Sequence, residues 1–304
     1  MTVRLPAGMR MTAKRRKMTP TQLQREIERH NSLKSNLKNI QIVDEPVSKE
    51  TDEEVSKRIA ERFDILAELS AAAIDGEARA LIVSGPAGLG KSFTVEKKLE
   101  SWDPNSRNHC IIKGYVKATG LYKLLYQFRN KGQVIVFDDA DSIFFDDTSL
   151  NLLKAVCDTN ERRIVSYLSE GALIDEDSAT RIPKSFEFEG SIIFITNHDF
   201  DAMIDRGHKL APHLQAMVSR AHYIDLAMKT KRDYLIRIKQ VVDGGLLKNR
   251  GLTAEMEADV LKFIMDNSDK LRELSLRIAL KIASIRKANG SRWQNVARVT
   301  CCRS

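Results

Sequence analysis

Lys91 and Ser92 close an eight-residue word, Gly85-Pro86-Ala87-Gly88-Leu89-Gly90-Lys91-Ser92, whose types and spacing match the phosphate-loop pattern G-x-x-x-x-G-K-[ST]. The glycines let the backbone bend so that successive N–H groups point inward at a β and a γ phosphate, where a side chain would block the approach. Lys91 supplies a point charge to those oxygens, and Ser92 offers a hydroxyl to Mg²⁺. Phe93 follows at the start of a helix-compatible segment, whose positive N-terminus faces the same phosphates. The apolar run Ala80-Leu81-Ile82-Val83-Ser84 in front of the word supplies the strand that such a loop must follow. Residues 85–93 are therefore the expected nucleoside triphosphate contacts, with ATP and Mg²⁺ as the expected cofactors.

A second stretch, Val134-Ile135-Val136-Phe137-Asp138-Asp139, is a buried strand ending in two acids, which places carboxylates at a sheet edge beside the phosphate loop. Asp138 is expected to hold Mg²⁺ together with Ser92, and Asp139 to orient and deprotonate an attacking water. Asp141, Asp146 and Asp147, which follow, read as a solvated acidic loop.

These residues need a frame. Thr51-Asp52-Glu53-Glu54 is a capping box opening a helix with Val55, Ile59, Phe63, Leu66 and Leu69 on one face. After the phosphate loop, strands are expected at 109–116, 133–137, 191–196 and 222–226, with helices at 121–128, 150–157 and 213–218. Strands that are apolar throughout and alternate with helices imply an α/β fold, a five-stranded parallel sheet covered on both faces. Residues 162–188 form an insertion with strand-like pieces at 163–168 and 185–188, read as a β-hairpin or projecting loop. Helices at 232–242, 253–265 and 274–287 make a small all-α domain. The expected organisation is a basic arm over 1–45, a nucleotide-binding domain over 46–227, a helical lid over 228–290 and a tail over 291–304. A short polar helix is expected at 21–30, after Thr19-Pro20.

On these motifs the chain resembles the AAA+ ATPases of the P-loop class, over roughly residues 50 to 288. Ile192-Ile193-Phe194-Ile195-Thr196-Asn197 is similar to that family's sensor 1, with Asn197 helping to place the water. Ser219-Arg220 is similar to its arginine-finger position, with Arg206 as the rival. Leu274-Ser275-Leu276-Arg277 looks like sensor 2, whose arginine contacts the γ-phosphate. The resemblance implies a catalytic set of Asp139, Asn197, Arg220 and Arg277, and a homo-oligomeric ring, commonly hexameric, with ATP bound between subunits. The lead-in Ile182-Pro183-Lys184-Ser185-Phe186-Glu187-Phe188-Glu189-Gly190 also resembles ATPases encoded by tailed bacteriophages. One departure stands out. Most AAA+ members end the third strand in Asp-Glu, so Asp139 is one methylene shorter and slow hydrolysis follows as an option.

The formal charge of +8 is unevenly spread over the 304 residues. Residues 1–40 hold ten Lys/Arg against Glu26 and Glu28, and residues 227–304 hold seventeen basic against eight acidic groups, leaving an acidic middle. Basic ends suit a polyanion such as nucleic acid, and equally suit a solvated tail. Cys110, Cys157, Cys301 and Cys302 have no metal spacing and no disulfide pattern. No signal-peptide core or membrane span is read, so a cytoplasmic location is expected, host cytoplasm if the chain is phage-encoded. Tyr115 and Lys117 lie at the end of the second strand, where protein-threading members place an aromatic and nucleic-acid motors a basic residue; Tyr115 could instead pack at the strand end. Three functions stay open: a nucleic-acid-associated ATPase, a protein remodeller, and a slowly hydrolysing, nucleotide-switched assembly protein.

Overall fold

The computed structural model describes residues 50–168, 171–175 and 180–303. The expected basic arm and its helix at 21–30 lie outside the described residues. The chain divides into Met1–Val47 and Ser48–Ser304, and everything described belongs to the second unit.

The first helix among the described residues, α1 (Asp52–Ile74), starts at the expected capping box: the Glu54 N–H donates to Thr51 Oγ1 at 3.2 Å and the Thr51 N–H to Glu54 Oε2 at 2.7 Å. Its Val55, Ile59, Phe63 and Leu66 are buried, as their spacing requires. There follow β1 (Ala80–Ser84), α2 (Lys91–Trp102), β2 (His109–Lys113), α3 (Ala118–Gln127) and β3 (Val134–Asp138). A 3-10 turn (Asp141–Phe144) leads into α4 (Asp147–Val156). The insertion contributes β4 (Ile164–Ser166), β5 (Leu173–Ile174), β6 (Arg181–Ile182) and β7 (Ser185–Glu187). After it come β8 (Ser191–Thr196), α5 (Phe200–Asp205), α6 (Ala211–Val218) and β9 (His222–Asp225).

The five-stranded sheet has the order β2-β3-β8-β1-β9, all neighbours parallel. Because successive side chains of a strand face opposite sides, Ile82, Ile135, Phe137, Ile192 and Phe194 enter one core with α3, α4 and the insertion. Leu81, Val83, Val134, Val136, Ile193 and Ile195 enter another with α1 and α2. Each large side chain so buried contributes roughly 1.5–3 kcal/mol. Covering both faces is what makes these strands apolar without a break.

The helical region holds α7 (Lys231–Asp243), α8 (Ala254–Asp266) and α9 (Leu276–Ala288) around a core of its own. Residues 291–304, expected only as a tail, instead carry α10 (Trp293–Cys301), with Trp293 against Phe263 at 5.4 Å and Cys301 and Cys302 buried in the lid core. Apolar groups at 293, 297 and 301 give that helix a single inward stripe.

Other boundaries shift for local reasons. Strand β2 stops at Lys113, short of Val116, because Gly114 takes φ +95 and turns the chain off the sheet. Helix α4 begins three residues earlier than expected, since Asp146, read as a solvated loop acid, caps it by accepting from the Ser149 N–H at 2.8 Å. The expected hairpin is an antiparallel β4–β7 pair, with a second antiparallel pair, β5–β6, inside it. Helix α5 has no apolar period to announce it and is capped by Asp199, which accepts from the Ala202 N–H at 2.8 Å.

Candidate nucleotide-binding site

Parallel neighbours end on the same edge, so β1, β8 and β3 deliver Ser84, Thr196 and Asp138 side by side. The phosphate loop leaves β1 at Gly85 and closes on Gly90, whose φ of +97 caps α2 in a conformation suited to glycine. The helix N-terminus therefore opens directly under the loop.

Lys91 folds back over that loop. Its Nζ donates to Gly85 O at 2.5 Å, Pro86 O at 2.8 Å and Asn197 Oδ1 at 2.9 Å, and the residue is only 5 % exposed. Burial pushes its ammonium down to about 8, against the pull of Asp139 and Asp138, with Arg277 adding to the fall. Asn197 uses its other end to donate to Asp139 Oδ1 at 2.7 Å. A line of three polar groups, Lys91–Asn197–Asp139, thus runs along the sheet edge.

Asp139 adopts φ +52, the left-handed region that Asp tolerates better than most residues, and its N–H donates to Ile195 O at 3.0 Å. The backbone leaves the strand direction there, which aims the short carboxylate at Asn197. Beside it, Ser92 Oγ donates to Asp138 Oδ1 at 2.8 Å. Hydroxyl and carboxylate are the hard oxygen donors that Mg²⁺ takes, and a metal shared with phosphates needs few protein ligands. Among the described residues there is no cluster of three or more His, Cys, Asp or Glu groups suited to a metal.

Two elements of the lid reach the loop. The Leu276 N–H, at the start of α9, donates to Gly88 O at 2.7 Å, and a Cβ on Gly88 would lie 2.6 Å from Ser275 Cβ. The close approach of α9 therefore requires glycine at position 88. Arg277, the second residue of α9, is exposed and close enough to act electrostatically on Lys91. Arg237 of α7 lies 3.3 Å over the Phe63 ring and donates from Nε to Leu89 O at 3.3 Å, and burial lowers its guanidinium to about 10.

Of the sequence-derived site residues, Gly85, Pro86, Gly88, Gly90, Lys91, Ser92, Asp138, Asp139, Asn197 and Arg277 converge here. Ala87 is exposed in the loop, Leu89 is buried beneath it, and Phe93 stands 60 % exposed at the first turn of α2. Arg220 does not join them: it lies just beyond α6, its Nη1 donates to Ala216 O of that helix at 2.8 Å, and its charge is felt by Cys157. Arg206 is exposed at the end of α5. Sequence reasoning missed Lys113, Ser275 and Arg237. Lys113 was within reach, as the last residue of a strand paired with β3, but Arg237 touches the loop only through tertiary docking.

No family model matches the chain. It is 37 % identical over 251 residues, 82 % of this chain and 76 % of the relative, to the "uncharacterized 36.7 kDa protein in nrdC-mobD intergenic region" of Enterobacteria phage T4. The chain belongs to that phage protein's family. Its fold is a five-stranded parallel sheet wrapped by helices, with a helical C-terminal region. Solved structures similar to this family member include the Holliday junction branch migration motor RuvB of Thermotoga maritima, at 14 % identity and TM-score 0.46 over 80 % of this chain and 68 % of that one. NtrX of Brucella abortus in complex with ATP gives 13 % identity and TM-score 0.36 over 93 % and 71 %. Likeness at that level transfers nothing to this member's chemistry. Among the described residues no helix is long and apolar enough to cross a membrane.

Proposed function

We propose that the chain binds Mg-ATP at residues 85–93 and hydrolyses it, as an AAA+ ATPase working on nucleic acid or a nucleoprotein complex. The observation that supports this reading is the Lys91–Asn197–Asp139 line beside the Ser92–Asp138 pair, because it brings an ammonium, an amide and two carboxylates to one edge, the groups that phosphate binding and water activation need. Lys91 would leave its carbonyl partners for the β and γ phosphates. Ser92 and Asp138 would hold Mg²⁺, which supplies charge neutralisation on the phosphate oxygens. Asp139 takes the proton of the attacking water, and Asn197 holds that carboxylate in place. Arg277 steadies the γ-phosphate from the lid.

Arg220 is held by Ala216 O rather than by the site residues of its own chain, which suits a role in a neighbouring copy within a ring, the hexamer being the resemblance's expectation. Mixed rings test this: Arg220→Ala and Lys91→Ala subunits, each inactive alone, should recover turnover together. Arg206 becomes the better candidate if Arg220→Ala alone costs less than roughly tenfold, far below the usual worth of an arginine finger.

A second reading, a protein remodeller, is favoured by Tyr115: it does not pack at a strand end but stands 76 % exposed beyond Gly114. ATP turnover with single-stranded DNA, duplex DNA or an unfolded protein separates the two. Stimulation by nucleic acid supports the first, and stimulation by the unfolded protein alone replaces it with the second.

A further inference from the structure

Asp138 has both carboxylate oxygens engaged. Oδ1 accepts from Ser92, and Oδ2 lies 3.1 Å from Lys113 Nζ, the side chain in register with it across the β2–β3 pair. The same Nζ lies 2.7 Å from Glu96 Oε1. Glu96 stands one helical turn beyond Ser92 on α2, so serine and glutamate share a face of that helix. Asp138 is 4 % exposed, and Lys113 is among the exposed residues.

A buried carboxylate is costly unless a counter-charge meets it. In the ligand-free chain Lys113 is that charge. A divalent cation bound by Ser92 and Asp138 would take over the same carboxylate, and an ammonium and a metal ion that close repel each other. Glu96 gives the lysine a second partner already within hydrogen-bond distance, and the exposed side chain is free to follow it.

We propose that Lys113 is a resident counter-cation of Asp138 that yields the carboxylate to the metal and withdraws onto Glu96. The Lys113–Glu96 pair then sets how strongly the metal is coupled to nucleotide binding. This rests on the nucleotide reading above.

The ratio of the Kd of a fluorescent ADP analogue in EDTA to its Kd in saturating Mg²⁺ isolates that coupling without any turnover. In Lys113→Met, Asp138 is bare in EDTA and repels phosphate, while in Mg²⁺ the metal has no rival, so the ratio rises by roughly two- to tenfold, the range of a half-screened ion pair. In Glu96→Gln the lysine is left to Asp138 alone and the ratio falls. Opposite shifts in the two variants support the proposal. An unchanged ratio in Lys113→Met, with both Kd values weakened alike, would make Lys113 a phosphate ligand and overturn it. If the wild-type chain binds the analogue in neither condition, the nucleotide reading fails and this inference falls with it.

Discussion

The polar cluster at the ends of β1, β3 and β8 and the antiparallel pairs of the insertion hold together in different ways. In the cluster, Lys91 donates within its own loop to Gly85 O, and the Lys91–Asn197 and Asn197–Asp139 bonds then join elements distant in sequence. In the insertion, Arg162 meets Glu187 at 2.9 Å on the surface and Ser166 meets Ser185 at 2.8 Å, both between adjacent strands. Leu168 is 81 % exposed there. Lys91 is buried while Asn197 and Asp139 are exposed, so the cost of a change is greatest at the lysine: a buried charge with several partners cannot be changed alone, whereas an exposed pair can be lost to water.

Asp139→Asn gives the largest effect in the cluster. It keeps shape and the approach to Asn197 but deletes the base, so turnover should fall by roughly 10²–10⁴ with ATP binding retained. Equal turnover would move the base to Asp141 or another acid and break the cluster's claim to be catalytic.

Gly88→Ala, measured without nucleotide, sharpens the comparison through stability alone. The new Cβ meets Ser275 and the residue sits at φ +76, so urea unfolding should show a loss of about 2–3 kcal/mol. An unchanged midpoint would mean that α9 does not rest on the loop in solution.

Lys91→Met tests the burial. The folded ammonium lies near pH 8 and the unfolded one near 10.5, so below about pH 8 both are charged and the desolvation cost is full. Between those values the folded chain releases its proton first, and the wild-type stability rises. Measured without nucleotide, wild type should gain on Lys91→Met from pH 8 to 10, by on the order of 2 kcal/mol. A constant difference would mean Lys91 is solvated.

Arg162→Ala should be the smallest effect, with no resolvable shift of the urea midpoint, because its pair is exposed. A larger loss in urea unfolding would show the insertion to be held as tightly as the cluster, and the comparison would collapse.

The same difference decides what could be read beforehand. The phosphate loop is legible because its requirements are local: glycine where φ is positive, lysine and serine at the first turn of a helix. The sheet is legible because burial on both faces forces unbroken apolar runs at 80–83, 134–137 and 192–195. Asn197 and Asp139 were placed by their position at strand ends, although nothing in the sequence reveals that Asp139 turns into the left-handed region. Arg237 over Phe63 and Ser275 over Gly88 were not legible, since each contact exists only once the lid has docked. Helix α10 was missed because its inward stripe of three residues is too short to stand out from the charged sequence around it.

The most direct measurement is equilibrium binding of Mg-ATP to the wild-type chain and to Lys91→Ala, by titration calorimetry at pH 7. The wild type should bind, and the variant should lose at least about 100-fold in affinity, because a desolvated charge on the β and γ phosphates is only partly screened. Equal affinity in the two proteins, or no binding by the wild type, would contradict the assignment of residues 85–93 as a nucleotide site.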